Sequence, residues 1–440
     1  MLVPGEIVRL ASSRTACHVG PLLGEGGQGS VHEATVDGSD DLYALKWYYP
    51  GYASERQWTA LRALISRGAP SGAFLWPLDL VTAPDSGAFG YLMPLRPEGY
   101  TGMVDLVRGR VDVGFRQLAV TGRELAHSFL LLHSEGLCYR DISFGNVFLR
   151  PESGEVLICD VDNVGVDGIG SSTVRGTPYF MAPEIVRGED LPSTRTDLFS
   201  LAVLLFYALM LGHPLEGERA LAHEVWDVDA MTDTFGTRPL FVFDPSDPRN
   251  RPVPGASVEQ DNVLTYWPLY PAFLRRLFVR AFTGGLAPAG DRVQESEWRK
   301  AMVRLHDSVV VCRRCDRENL ADLDESGSPA EGAARVCWSC AAPLELPPRL
   351  VLPSHAVALA HDTVLHPFHL GGRYDPTRTA AEVTRHPADP NIWGLRNLTD
   401  RPWRARETGG TEHTVDPGRA IAIVDGLALD FGTGSAHVRT

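Results

Sequence analysis

Over the first hundred residues the apolar positions come in short stretches broken by glycine and proline. That pattern predicts strands over His18–Leu23, Val31–Thr35, Leu42–Tyr48 and Phe89–Leu95. One stretch changes period: Trp58, Leu61, Leu64 and Ile65 recur at helical spacing, so a helix is expected from about Ser54 to Arg67, ended by Gly68-Ala69-Pro70. From about Gly114 the helical period dominates. Leu118, Leu125, Phe129 and Leu132 form one stripe of a helix over Phe115–Ser134, and Leu198–Leu211 is almost wholly apolar apart from Ser200. At that length it is a buried helix and falls short of the ~18–20 residues of a membrane span. After Pro347-Pro348 the pattern returns to short strands and turns, with no helix and no internal repeat. The order is a strand-rich lobe, a helix-rich lobe and a strand-rich tail, an α+β chain.

A length of 440 residues suggests two or three domains, and 44% hydrophobic with 22% charged residues is ordinary for folded chains. A wholly disordered, collagenous or coiled-coil protein is excluded. With 41 Lys+Arg against 55 Asp+Glu the formal charge is −14, which argues against a nucleic-acid binder held by phosphate neutralisation. Met1–Leu10 lacks a basic segment followed by an apolar one, so no secretory signal is read and a cytoplasmic chain without membrane partners is expected.

Seven cysteines sharpen this picture. Cys17, Cys138 and Cys159 stand alone, while Cys312, Cys315, Cys337 and Cys340 form C-x2-C-x21-C-x2-C around a Gly/Ala/Ser/Asp-rich loop, 321–334. Two such turns complete a tetrahedral thiolate site for Zn²⁺ with no open position, hence a structural metal. Arg313, Arg314 and Arg317 beside an acidic loop read as a solvated rim.

The chemistry-bearing motifs lie in the first three hundred residues. Gly24-Glu25-Gly26-Gly27-Gln28-Gly29-Ser30-Val31 fits G-x-G-x-x-G-x-V, where glycines let backbone N–H groups approach phosphate oxygens. A strand, not a helix, follows the glycines, which disfavours a dinucleotide fold. Tyr43-Ala44-Leu45-Lys46 then resembles V-A-I-K, and Tyr139-Arg140-Asp141-Ile142-Ser143-Phe144-Gly145-Asn146 resembles the H-R-D-x-x-x-x-N loop of protein kinases. Asp160, in Asp160-Val161-Asp162, stands where the D-F-G aspartate belongs, with Asp162 as the fallback ligand. Gly176-Thr177-Pro178-Tyr179-Phe180-Met181-Ala182-Pro183-Glu184 is similar to the A-P-E end of a Ser/Thr-kinase activation segment, and Asp197 opens a D-x-W-S-x-G-like helix.

The resemblance to protein kinases implies a bilobal fold over 1–305, with an N-lobe at about 15–95 and a C-lobe at about 97–305. A zinc ribbon would follow at 306–347 and a β-sandwich at 348–440. It implies ATP-dependent transfer of the γ-phosphoryl group to Ser or Thr hydroxyls of a protein substrate. Asp141 would orient the hydroxyl, Lys46 hold the α/β-phosphates, and Asn146 with Asp160 hold Mg²⁺ or Mn²⁺. Gly24, Gly26, Gly29, Val31, Ala44, Met93 and Leu95 would line the nucleotide site, and Glu55, or Gln57 in its stead, would partner Lys46. Arg292 would pair with Glu184, and Asp197 would brace the catalytic loop. Arg140 would receive a phosphate on Ser171, Ser172 or Thr173, while Thr177 contacts the catalytic loop. Two departures bear on activity: Ser143 stands where Ser/Thr kinases carry a lysine, and Tyr139 replaces the motif's histidine. A pseudokinase or ATP-binding scaffold that recruits partners is the alternative.

Phe74–Val81, the catalytic loop and His213-Pro214-Leu215-Glu216-Gly217 are similar to one bacterial subfamily, the kinase of the tellurite-resistance-associated phosphorylation triad. That resemblance implies a von Willebrand factor A protein and a PP2C-type phosphatase as partners. In the tail, 391–399, 418–424 and 427–432 resemble a forkhead-associated β-sandwich. Gly372-Arg373 and Thr384-Arg385-His386 match that family's phosphothreonine-binding motifs loosely, and partner contact is the simpler expectation. His355, His361, His366 and His369 are irregularly spaced and read as ordinary loop residues.

Overall fold

The computed structural model describes residues 2–83, 87–167, 176–287, 291–324, 326–333, 335–386 and 388–440, the side chains of 390 and 391 apart. The chain divides into two compact units. The first comprises 1–113, 120–265 and 276–299; the second comprises 114–119, 266–275 and 300–440.

In the first unit six antiparallel strands close a barrel in the order β1-β2-β3-β4-β6-β5. They are β1 (Ile7–Leu10), β2 (Ala16–Glu25), β3 (Gly29–Val36), β4 (Leu42–Tyr48), β5 (Asp79–Thr82) and β6 (Phe89–Pro94). Four match strands expected from the sequence; β1 and β5 were not foreseen, since four residues each give too short a run for a period to register. Val8, Cys17, Val19, Leu45, Val81 and Leu92 fill the barrel. Helix α1 (Glu55–Arg67) begins where the Ser54 side chain accepts the Gln57 N–H, and its buried stripe is Leu61 and Leu64.

The helical part of this unit contains α2 (Met103–Val107), most of α3 (Phe115–Ser134), α4 (Pro183–Val186) and α5 (Thr194–Met210). Helix α5 starts at a capping box formed by Ser193 and Thr196, and every residue from Thr196 to Met210 is buried. A helix apolar on all sides has no solvent face to offer, so it forms the hub of the lobe. No helix among the described residues is long and apolar enough to cross a membrane.

The second unit carries the cysteine pairs and then, among the described residues, ten short strands. Six of the strands form one antiparallel sheet and four another, and their buried faces share one apolar cluster that includes Leu350, Leu365, Val383, Leu395, Trp403, Leu429 and Val438. The only helix-like element after Pro348, among the described residues, is a 3₁₀ turn at Pro367–Leu370.

Candidate active site

The glycine segment forms the tip of the β2–β3 hairpin, closed by Gly26 N–H donating to the Gly29 carbonyl at 2.9 Å. Gly29 is required by proximity: a Cβ there would lie 2.1 Å from the Trp47 carbonyl oxygen, whereas Cβ atoms at Gly24 and Gly26 would meet nothing within 4 Å. Behind the hairpin, Val31, Ala44, Met93 and Leu95 belong to one apolar cluster. Leu157 and Phe148 join it. Phe148, two residues past Asn146, escaped sequence reading because a lone aromatic in a short strand carries no motif.

Lys46 is buried on β4 and meets two carboxylates. Its Nζ lies 3.0 Å from Asp160 Oδ1 and 2.9 Å from Asp162 Oδ2. Burial disfavours the charged ammonium, but Asp162 and Asp160 outweigh it and hold its pKa above the ordinary lysine value. The Tyr48 hydroxyl donates to Asp162 Oδ2 at 2.6 Å, and the Gln57 amide donates to the Tyr48 hydroxyl and to the Asp162 carbonyl. Glu55, expected as the partner of Lys46, is exposed in the first turn of α1 and takes no part in this network. Helix phase explains the difference. Gln57 lies on the stripe of Leu61 and Leu64, while a residue two positions earlier points to the other side. The two aspartates differ as well: Asp160, at a left-handed φ of 53°, is 43% exposed, and the Asp162 side chain is fully enclosed.

Thr177 and Asn146 converge on Asp141. Thr177 Oγ1 donates to Asp141 Oδ1 at 2.8 Å, and Asn146 Nδ2 donates to the Asp141 carbonyl at 2.9 Å and to Oδ2 at 3.3 Å. Burial pushes the Asp141 carboxyl up, and the bonds from Thr177 and Asn146 act against that. Ser143 is buried. The Tyr139 ring packs on Phe74 and Phe129, and its hydroxyl donates to the Cys159 carbonyl.

The loop is held from below. Asp197 accepts the N–H groups of Tyr139 at 2.5 Å and Arg140 at 3.0 Å, and Arg140 adopts a left-handed φ of 75°. His133 bridges Asp197, at 3.1 Å, to Glu295. Burial works against the imidazolium, but hydrogen bonds to Asp197 and Glu295 prevail and raise its pKa to about 9. Sequence reading missed His133 and Glu295; along the chain His133 lies 64 residues from Asp197 and 162 from Glu295. Arg292 meets both oxygens of Glu184, at 2.7 and 2.8 Å, with both side chains buried. The Arg140 guanidinium donates to the Val166 carbonyl at 3.2 Å. Ser171, Ser172 and Thr173 lie outside the described residues.

In the second unit, Cys312, Cys315, Cys337 and Cys340 converge, with Cys312–Cys340 and Cys315–Cys337 sulfur separations of 3.7 Å. A tetrahedron of thiolates at about 2.3 Å from zinc has edges of about 3.8 Å, so the four sulfurs fit that ion. Each C-x-x-C is a matching turn. The residue after it, Asp316 or Ala341, is left-handed and donates its N–H to the carbonyl of the first cysteine. Burial opposes the Cys337 thiolate, but the Cys340 and Ser339 N–H groups and the Asn319 amide pull the thiol down to about 6. The lone cysteines differ: burial raises Cys17 and Cys138 to about 11 and Cys159 to about 12, which leaves them unreactive thiols.

Two of the histidines read as loop residues are buried instead. His355 Nε2 and His369 Nε2 lie 2.7 and 3.1 Å from Asp307 Oδ2. His369 Nδ1 accepts the His366 N–H, so its proton sits on Nε2 and is donated to the carboxylate. That tautomer makes the trio a hydrogen-bonded core element, with no nitrogen lone pair of His369 left for a metal. Arg373 is exposed, and Thr384, Arg385 and His386 close the strand Ala381–His386, with the Arg385 guanidinium 5.5 Å from the Trp393 ring centre.

Residues 100–252 match the family model described as protein kinase domain. The DNA damage-responsive serine/threonine-protein kinase RqkA of Deinococcus radiodurans is 29% identical over 208 residues, 45% of this chain and 30% of that protein. The serine/threonine-protein kinase PksC of Streptomyces coelicolor is 29% identical over 218 residues, 46% of this chain and 38% of that protein. The PknI kinase domain of Mycobacterium tuberculosis aligns with 70% of this chain and 99% of its own at 18% identity, with a TM-score of 0.46. The chain spans less than half the length of the curated relatives it matches. The likeness is thus to a protein kinase domain over 100–252, and serine/threonine-protein kinases of bacteria are among the similar proteins. Lys46 and the glycine hairpin precede that stretch.

Proposed function

We propose that this chain is an ATP-dependent protein Ser/Thr kinase of bacterial signalling. The observation that carries the reading is that Asp141, tied to Thr177 and Asn146, lies in one compact unit with the buried Lys46 and its partner Asp160. In this reading Asp141 accepts the hydrogen bond of the attacking hydroxyl and orients it. The β2–β3 hairpin covers the phosphates, and Lys46 pairs with them. Val31, Ala44, Met93, Leu95 and Phe148 enclose the base. Asn146 and Asp160 would hold Mg²⁺, which when bound neutralises charge on the phosphates. Arg140 would pair with a phosphate on the activation segment.

The domain scheme proposed is kinase, zinc ribbon and forkhead-associated-like module over 1–305, 306–347 and 348–440. The ribbon with the tail would serve as a docking arm for partners in the cytoplasm. By resemblance those partners are the von Willebrand factor A protein and the PP2C-type phosphatase. The convergent cysteines support the zinc assignment.

Incubation with labelled ATP and Mg²⁺ tests the activity. Asp141→Ala is expected to lose at least about a hundredfold in label transfer while still binding nucleotide. Equal labelling by both proteins would refute it. Buried Ser143, in the place of a phosphate-contacting lysine, favours a second reading, a nucleotide-binding scaffold without transfer. Nucleotide binding with no label on any substrate would establish that one.

A further inference from the structure

A carboxylate kept for local architecture normally spends its oxygens on backbone N–H groups, as Asp197 does with those of Tyr139 and Arg140. Asp162 does not. Its side chain is fully enclosed, its Oδ2 faces Lys46 Nζ at 2.9 Å and accepts the Tyr48 hydroxyl at 2.6 Å. Its Oδ1 has no hydrogen-bond partner among the described residues. An enclosed carboxylate so sparingly satisfied is costly unless a neighbouring cation repays it, and Lys46 is that cation. Asp160 differs: it is 43% exposed and reaches Lys46 only through Oδ1. Helix α1 brings no charge to the cluster. It contributes the neutral Gln57 amide, which holds the Tyr48 hydroxyl at 3.1 Å and the Asp162 carbonyl at 3.0 Å.

We infer that Asp162 is the positioning residue of Lys46, so that the ion pair of the nucleotide-binding lysine is built between β4 and the Asp160-Val161-Asp162 segment and not between β4 and α1. The inference rests on the kinase reading and deepens it. Its physical consequence is a division of labour. Asp162 neutralises Lys46 from behind, which leaves Asp160 available to a divalent cation at the exposed side. Without the charge on Asp162, Lys46 has only Asp160 as a carboxylate partner and competes with the cation for it. A shift of α1 would change a neutral amide contact while leaving the ion pair in place.

Calorimetric binding of a non-hydrolysable ATP analogue to the full chain, repeated across a Mg²⁺ series, tests this. Asp162→Asn keeps the shape and removes the charge. It is expected to raise the Mg²⁺ concentration for half-maximal binding about tenfold, while affinity at saturating Mg²⁺ changes about threefold or less. Tyr48→Phe, which removes one hydrogen bond to Asp162 and no charge, shifts the Mg²⁺ requirement the same way by about two- to threefold. A residue that only stabilised the fold would lower the melting temperature and leave the Mg²⁺ requirement alone. An unchanged Mg²⁺ requirement in Asp162→Asn overturns the inference. So does a shift in Glu55→Gln as large as that in Asp162→Asn, which would return the pair to α1. If Asp162→Asn does not fold, an unchanged requirement in Tyr48→Phe overturns it. Wild-type protein that binds no analogue at any Mg²⁺ concentration overturns both this inference and the kinase reading.

Discussion

Arg292 and Glu184 meet as a two-pronged pair, guanidinium nitrogen against both carboxylate oxygens, in a place where neither side chain sees water. Arg292 also donates from Nη1 to the Arg195 carbonyl and from Nε to the Gly285 carbonyl. Removing one partner leaves the other charge buried and alone. Arg292→Leu should therefore destabilise the first unit by about 3–5 kcal/mol, measured by denaturant unfolding, whereas replacing both residues with apolar ones of similar bulk should cost much less. Equal costs for the single and double changes would show that packing, and not the uncompensated charge, sets the penalty. At this scale the pair itself was legible from motif positions alone, Glu184 in A-P-E and Arg292 far downstream. The partner of Lys46 was not. Glu55 and Gln57 are two residues apart, and only the phase of α1 against the barrel decides which of them faces inward.

Between elements, the contact that His133 makes from α3 is sensitive to pH. It ties Asp197, at the start of α5, to Glu295, at the start of the helix Glu295–Asp307. Its folded pKa of about 9 lies above the unfolded value of about 6.5. The stabilisation is therefore complete below pH 6.5 and is lost as pH rises through 9. The first unit should lose up to about 3 kcal/mol across that window. Melting temperatures taken from pH 6 to 9.5 test this, and His133→Gln should flatten the fall. A wild-type curve already flat over that range would mean that folding does not raise the pKa of this imidazole. The element boundaries nearby were well anticipated. Helix α3 runs over the same residues as its apolar stripe, and α5 follows the apolar run with Ser193 as its cap. Strands β1 and β5 were not anticipated, because pairing with neighbours distant in sequence, and not an internal pattern, makes four residues a strand.

For the whole molecule, the cysteine segment depends on a different force from the barrel, the helical core and the tail's paired sheets. The first unit has α5, buried from Thr196 to Met210, and a filled barrel. In the second unit, the cysteine segment has little apolar material of its own, and its two matched turns bring four sulfurs together. Elemental analysis is expected to find one zinc per chain. A strong chelator, or the Cys312→Ser and Cys315→Ser pair, should abolish amide-exchange protection over 309–346, since the metal's binding energy is that segment's folding energy. Nucleotide binding by the first unit should persist. Retained protection after complete removal of zinc would show that the segment folds on its own contacts.

The sequence by itself determined the chemistry that is local along the chain. Asp141 and Asn146 lie five residues apart on one loop, the cysteines form two tight pairs, and the glycines sit at a hairpin tip; such spacings fix geometry through the backbone alone. Tertiary structure decided what depends on direction in space. It separated Asp160 from Asp162 through one left-handed residue, turning one carboxylate to the exposed side and enclosing the other. It gathered Asp307, His355 and His369, up to 62 residues apart, into one buried hydrogen-bonded trio where the spacing of the histidines had shown no pattern. And it gave Lys46 its partners 114 and 116 residues away, because burying a cation requires the nearest enclosed carboxylate, and proximity of that kind exists only once the chain has folded.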